Sequence, residues 1–399
     1  MQRRVDFTEV MNSRQCVYLP TEVLIHIAKF IFDGWRNNAD PPSYQVTLQR
    51  FCSVSRQWYS AGIEFLYYRP QLDEGNSFLL FTNTVCPSIR SRGRRKVDLG
   101  SLVHVLNLGS LVHHSSNSLT ARLLGRVKKN LRTFVAPRIS FSINSLAPLA
   151  KCKELCYLSL DLVAEPIALP AIKKAISNID KLQSLELSSS TLITDDSSTE
   201  DWPPNLRYLR VGGQFVTDKM YSFRWPPNLV SLTLCGCYSL NTPILEDILI
   251  NEQLRTTLMQ LIIHSANSEM FKEGPSGILR ALMALESLRI PIDLLYEFLI
   301  LPAFDSRDSP LSIRGLELTA PYNENFSTVI DPDDICKALK MNLSRLCALG
   351  ISASCLGIIP EASHAKIDKW LWKNIDKCPE EELDSLFDLG LYVMAEPMC

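Results

Sequence analysis

Hydrophobic positions in this chain change their period once, and the change divides it in two. Near the start, Val23, Leu24, Ile27, Phe30 and Ile31 recur at helical spacing and predict an amphipathic helix. Pro20 suits a first helical position, where its missing N–H costs nothing, and Glu22 complements the positive end of the helix dipole. A second apolar stripe runs Leu48, Phe51 and Cys52, and a third runs Trp58, Gly62, Phe65 and Leu66, with a polar link expected from Asp33 to Tyr44. Three short helices in about fifty residues form a marginal core, and such a unit gains from docking its remaining apolar surface on something else.

From Val103 to Ile351 the pattern becomes L-x-x-L-x-L, with other aliphatic residues allowed. Its clearest copies are Leu155-Leu158-Leu160, Leu182-Leu185-Leu187, Leu206-Leu209-Val211 and Leu229-Leu232-Leu234. The series continues with Leu258-Leu261-Ile263, Leu285-Leu288-Ile290, Ile313-Leu316-Leu318 and Leu346-Leu349-Ile351, after weaker copies at Val103-Leu106-Leu108 and Leu131-Phe134. Roughly a quarter of the chain is Leu, Ile or Val, so a three-position match arises by chance about once in fifty positions. The spacing is therefore better evidence than the matches. Successive copies start 23 to 33 residues apart, near the period of leucine-rich repeats. An internal near-duplicate, WPPNLRYLRV at 202–211 against WPPNLVSLTL at 225–234, strengthens the case. Helical patterns lie between copies, as at Thr242–Leu249 and after Asp331, where Asp331 suits an N-cap, Pro332 the first turn, and Asp333 and Asp334 the dipole.

Strand, turn and helix in repetition predict an α/β solenoid with a parallel sheet on its concave face. The leucines at the first, fourth and sixth template positions point into the core, and the residues between them point into the groove. Tyr157, Glu186, Tyr208, Arg210, Arg289 and Glu317 are then the candidate target-binding side chains, with Tyr and Arg favoured at hot spots. Ten strands about 4.8 Å apart give a surface nearly 50 Å long, suited to a peptide or a protein face. Each end of such an array needs a cap. At the C-terminal end, Ile367, Trp370, Leu371 and Ile375 share one helical face and predict a capping helix, followed by a last helix and a frayed end.

The opening pattern LPTEVLIHIAKF followed by SVSRQWYSAGIEFLYYRP resembles an F-box, and the repeat body resembles the leucine-rich-repeat part of many F-box proteins of fungal layout. The resemblance implies docking on a Skp-type adaptor and, through it, a cullin–RING ubiquitin ligase. It implies adaptor-binding roles for Leu19, Pro20, Val23, Leu24, Ile27, Val54, Trp58 and Leu66. It divides the chain into a leader (1–18), an F-box (19–70), a linker and N-terminal cap (71–101), leucine-rich repeats (102–353) and a C-terminal cap and tail (354–399). The chain is then a non-catalytic substrate receptor for a protein target. A scaffold that binds the adaptor without ubiquitin transfer is the alternative.

Composition removes several other classes. The 399 residues carry a formal net charge of −2, which gives no reason to expect nucleic acid as the main partner. No apolar run approaches the length of a membrane span, and MQRRVDFTEVMNSRQC lacks the apolar segment of a secretory signal. A cytoplasmic or nuclear protein is expected, its twelve cysteines kept as thiols. The densest basic run, Arg90 to Lys96, reads as a solvated loop or an import signal, Cys235-Gly236-Cys237 as buried thiols, and His113-His114 as a loop pair. No phosphate loop, nucleophile elbow or metal-binding helix pair is present in the sequence, so no metal or cofactor is expected.

Overall fold

The structure is a computed structural model and describes residues 18–37, 41–72, 75–87, 98–111, 116–194, 201–216, 220, 223–267, 279, 282–300, 310–321, 330–378 and 388–395. The basic run at 90–96, His113-His114, Asp195-Asp196, Asn325-Phe326-Ser327 and the Leu386-Phe387 pair lie outside these residues. The chain forms two compact units, one ending at Gln71 and the other beginning at Leu72.

The first unit is three helices, α1 (Thr21–Asn37), α2 (Pro41–Cys52) and α3 (Arg56–Tyr68). The expected polar link from Asp33 to Tyr44 is mostly helix, because α1 runs on to Asn37 and α2 begins at Pro41. Pro20 stands just before α1 and lends its carbonyl to the Leu24 N–H (3.2 Å), so it acts at the cap rather than in the first turn. Ser55 caps α3, its hydroxyl accepting from the Trp58 N–H (3.3 Å). Ser55→Ala is expected to cost about 1 kcal/mol of stability in this unit. Urea titration of the chain, followed by tryptophan fluorescence at Trp58, checks it.

The second unit is built on twelve strands: β1 (Val105–Asn107), β2 (Thr133–Val135), β3 (Tyr157–Ser159), β4 (Ser184–Glu186), β5 (Leu192–Ile193), β6 (Tyr208–Phe215), β7 (Ser231–Cys237), β8 (Gln260–Ile263), β9 (Ser287–Pro291), β10 (Gly315–Thr319), β11 (Ala348–Ser352) and β12 (Gly390–Met394). Among the described residues all pairings are parallel, and strands run in chain order from β1 to β12 except for β5, which lies off this path, pairs with the far end of β6 and bridges Ala168 through Leu192. Consecutive parallel neighbours in a single file are what a solenoid requires. Apart from β5, which no template copy marks, the strands are the expected ones through β11, and their template leucines are buried throughout, from Leu106 and Leu108 to Leu349 and Ile351.

The near-duplicate turns have a physical role in the stack. Asn205 Nδ2 donates to the Asp180 carbonyl (2.7 Å), and Asn228 Nδ2 to the Pro204 carbonyl (2.8 Å). Asn130 Nδ2 does the same to the Ser101 carbonyl (2.7 Å). Each donor sits just before the first template leucine and reaches the equivalent turn one repeat back, so the ladder satisfies carbonyls that the sheet leaves unpaired. Trp202 and Trp225 of the two WPP turns flank Phe223, and the Trp202 indole donates to the Arg224 carbonyl (2.7 Å).

Helices or irregular turns occupy the crossovers. Asp331 caps Pro332–Lys340 as the sequence predicts, Asn241 caps Thr242–Leu249, and a proline lies in the first turn of each. Two readings of the C-terminal part need correction. The helix His364–Ile375 buries Ile367, Leu371 and Ile375, but it is a crossover between β11 and β12 rather than a terminal cap. The expected frayed end instead contains β12, paired in register with β11 through Leu349↔Leu391 and Ile351↔Val393. The stack therefore continues past residue 353. At the other end, Gly75–Val85 is helical and packs beside Asn117–Val127, within the segment expected to cap the first repeat.

Candidate functional site

Two surfaces bear on function, one on each unit. In the first unit a complete core forms from Leu24, Ala28, Phe32, Tyr44, Leu48, Phe51, Cys52 and Ala61. Phe32 meets Tyr68 edge-on at 5.2 Å, and Phe51 packs on Trp58 at 4.6 Å. Gly62 lets α3 approach α2, since a Cβ there would lie 2.8 Å from the Phe51 ring. Gln57 of α3 ties down the start of α1 by donating to the Leu19 carbonyl (3.0 Å) and to Thr21 Oγ1 (3.2 Å).

With that core filled, much apolar surface remains outside. Phe30 is 80% exposed and Val54 61%, and Tyr18, Val23, Ile25, Val46 and Tyr59 are exposed as well. Val23 and Phe30 fall on one face of α1, turned away from the Leu24–Ala28–Phe32 face that makes the core, and Ile27 lies between the two faces, packed against the core. Of the predicted adaptor-binding residues, Pro20, Val23 and Val54 are exposed, while Leu19, Ile27, Trp58 and Leu66 are half-buried against the core. Leu24 is 0% exposed. It is a core residue, and no partner can touch it while the unit stays folded. Phe30 is the residue the sequence reading left out of the binding set, although it lies on the helical stripe.

The second surface is the open face of the sheet. In register across the strands stand Tyr157, Ser184, Tyr208, Ser231, Gln260 and Ser287, and beside them Ser159, Glu186, Arg210, Thr233, Ile262, Arg289 and Glu317. Two charged groups form there. Around β3 to β7, Arg210 Nη2 lies 3.4 Å from Asp161 Oδ1 and 3.2 Å from Cys235 Sγ, with Glu186 as its neighbour on β4. Burial, then the Glu186 carboxylate, pushes the Tyr157 hydroxyl up to about 12, so it stays protonated and remains a donor. Burial raises Asp161 too, and Arg210 opposes that by favouring its ionised form. Tyr208, two residues before Arg210 on β6, is 48% exposed. Around β9 to β12, Arg289 and Glu317 pair with each other, and Tyr392 donates to the other Glu317 oxygen (2.9 Å). Arg289 and Glu317 are thus already engaged with each other, whereas Tyr208 offers an open aromatic face. Cys235 and Cys237 are buried, and Cys237 donates to the Val211 carbonyl (3.2 Å). Among the described residues no cluster of three or more metal-ligating side chains forms.

Two curated yeast proteins bear on these surfaces. The chain is 28% identical over 290 residues to "F-box protein YDR306C" of Saccharomyces cerevisiae, a match covering 72% of this chain and 58% of that protein. The chain is thus similar to a fungal F-box protein. It is also 26% identical over 290 residues to "Protein pof5" of Schizosaccharomyces pombe, covering 72% of this chain and 78% of that one. No family model matches the chain. Among solved structures it is similar to an internalin of Listeria monocytogenes (TM-score 0.32, 14% identity, 72% of this chain and 90% of that one). It is similar as well to the mouse RP105/MD-1 complex (TM-score 0.29, 14% identity, 63% and 49%). Superpositions that loose carry no weight, and the leucine-rich-repeat solenoid of this F-box relative stands on its own strand order.

Proposed function

We propose that this chain is the substrate-recognition subunit of a Skp–cullin–F-box ubiquitin ligase. In this reading α1–α3 dock on a Skp-type adaptor and the repeat unit holds the target protein. One observation supports it above the others. The three-helix unit completes its core and still leaves Phe30, Val23, Val54 and Tyr59 in solvent, in a chain related to F-box proteins. An apolar surface of that kind on so small a unit is what a partner subunit covers. The chain itself performs no bond chemistry in this account. It contributes proximity, raising the effective concentration of a target lysine at the charged conjugating enzyme.

Affinity purification of the full chain from fungal cells tests the reading. Recovery of both a Skp-type adaptor and a cullin supports it. Recovery of the adaptor without a cullin replaces it with a scaffold that assembles but does not transfer ubiquitin, and recovery of neither overturns it. On the open face, Tyr208→Ala with Arg210→Ala is expected to weaken target capture by about tenfold or more, since exposed Tyr and Arg dominate hot spots. Adaptor binding should be unchanged. Quantitative crosslinking of wild-type and variant baits checks both at once, and undiminished capture would move recognition off the sheet face.

A further inference from the structure

The sheet face pairs its charges internally. The turns that lead into its first strands leave cations in excess. Between Asp98, the end of the helix Asn117–Val127 and the turn before β3 lies a concavity of about 500 Å³. Arg126, Lys128, Lys129, Lys151 and Lys153 line it, against two acids, Asp98 and Glu154. Glu154 is taken up by Lys181 on its other side (2.6 Å), an ion pair that holds its carboxyl below the usual range. Five cations therefore face one uncommitted carboxylate, on a chain whose overall charge is −2.

The walls of this concavity are fixed by backbone contacts. Gly100 lies so close to the Arg126 carbonyl that a Cβ there would sit 2.6 Å away. Asn130 donates to the Ser101 carbonyl, and Lys153 Nζ donates to the Asn178 carbonyl (2.8 Å). Lys128, Lys129, Lys151 and Lys153 are exposed and belong to consecutive repeats. Concave surfaces of one sign concentrate field and attract the opposite charge over a Debye length. A simpler account exists for part of the set. Arg126 and Lys128 stand at the C-terminal end of a helix, where cations complement the dipole. That account does not reach Lys153, which lies beyond the next helix and its following turn.

We infer that this basic concavity binds a carboxylate-rich segment of a protein, a run of Asp and Glu. Among the described residues, four of its five cations are lysines, which act as mobile point charges rather than planar forks. That favours a string of carboxylates over one tightly gripped phosphate, for which converging arginines are the usual device. Among the described residues no aromatic side chain lines it, which gives stacking of nucleic-acid bases no platform from them. The inference rests on reading the repeat unit as the part that holds the target, and it names the chemistry of the segment held.

The test uses the full chain with its adaptor if one co-purifies, and three labelled probes: a peptide of alternating Asp and Glu, a neutral Gly-Ser peptide carrying one phosphoserine, and a single-stranded oligonucleotide. Fluorescence anisotropy should show the acidic peptide binding, weakening steeply as salt is raised. The variant K128E/K129E/K151E/K153E should lose at least about tenfold in affinity for it, given four reversed charges at one site. K340E/K369E should not. Melting curves report folding, and if the fourfold variant unfolds, K128Q/K151Q supplies the same comparison with the loss scaled down. The inference is overturned if the acidic peptide fails to bind, if K128E/K129E/K151E/K153E or K128Q/K151Q binds it as the wild type does, or if the phosphoserine peptide or the oligonucleotide binds more tightly. Adaptor binding is measured on the same samples. An intact adaptor complex that ignores the acidic peptide sinks this inference alone, and loss of the adaptor in wild-type protein sinks the reading beneath it.

Discussion

Phe30→Asp is expected to leave the three-helix unit folded and to abolish capture of a Skp-type adaptor, whereas Leu24→Asp should abolish capture by unfolding the unit. The two positions lie on one helix but face opposite ways. Phe30 contributes almost nothing to the core at 80% exposure, so a charge there meets water in the free chain. In a complex it would be forced into an apolar contact without a partner, which costs several kcal/mol. Truncating a central apolar anchor typically costs about 2 kcal/mol or more, roughly a thirtyfold loss of affinity, and a buried charge costs more than truncation. Leu24, at 0% exposure, would carry its charge into the middle of Phe32, Leu48 and Phe51. A core of this size cannot absorb that. Calorimetric titration with purified adaptor gives the affinities, and circular dichroism of residues 18–72 with and without each substitution reports folding. Wild-type affinity in Phe30→Asp would remove the apolar face of α1 from the interface.

The difference between these two residues shows where the sequence stops being informative. Val23, Leu24, Ile25, Ile27, Ala28, Phe30, Ile31 and Phe32 make α1 apolar on nearly every side. Helical spacing establishes that α1 is a helix with two greasy faces and does not say which of them the chain itself covers. Only α2 and α3, which bring Leu48, Phe51 and Ala61 against Leu24 and Ala28, decide it. The Asp33–Tyr44 stretch misled for a related reason. Its polar composition suggested a link, yet α1 runs on to Asn37 and two adjacent prolines at 41 and 42 open a helix as readily as they mark a loop.

The repeat unit was more legible because its signal is redundant. Each strand from β1 to β11 except β5 repeats the same template at a similar interval, and the WPPN turns repeat the same contact. β12 escaped because two of these regularities fail together. Its aligned positions are Asp388, Leu391 and Val393, with an acid at the first place, and the gap from Leu346 to Asp388 is far longer than one period. Leu386-Leu389-Leu391 does fit the template, two residues out of the register actually used. On the sheet face, the alternation of strand residues identified which side chains point outward but not how they pair. That Arg289 is held by Glu317, and Tyr208 left open, depends on strands whose facing residues lie 28 and 23 positions apart in the chain.

The conformation of Gly213 gives the largest expected effect within the repeat unit. Its φ is +130°, a region closed to residues with a Cβ, and a Cβ there would lie 2.2 Å from the Thr191 carbonyl oxygen. That oxygen already accepts from the Gln214 N–H (2.8 Å), the bond that joins β5 to β6. The register of β6 against β7 shifts at this point, between Val211 and Gly213, so the strand turns aside to pass β5 on one flank and β7 on the other. Gly213→Ala must therefore break the Thr191 contact or straighten the bulge, and a cost of about 3 kcal/mol or more is expected. Because each repeat is stabilised mainly by its neighbours, the damage should stay local. Hydrogen exchange is expected to accelerate in β5, β6 and β7 and to remain slow in β9 to β11. The group around Arg210 lies on these middle strands, since Cys235 of β7 and Asp161 beyond β3 both hold its guanidinium. Target capture should fall with the loss of order there, while adaptor binding by α1–α3 is untouched. If Gly213→Ala instead melted with the wild type and kept its exchange pattern, the bulge would not be the constraint that fixes the middle of the array, and Arg210 would owe its position to Asp161 and Cys235 alone.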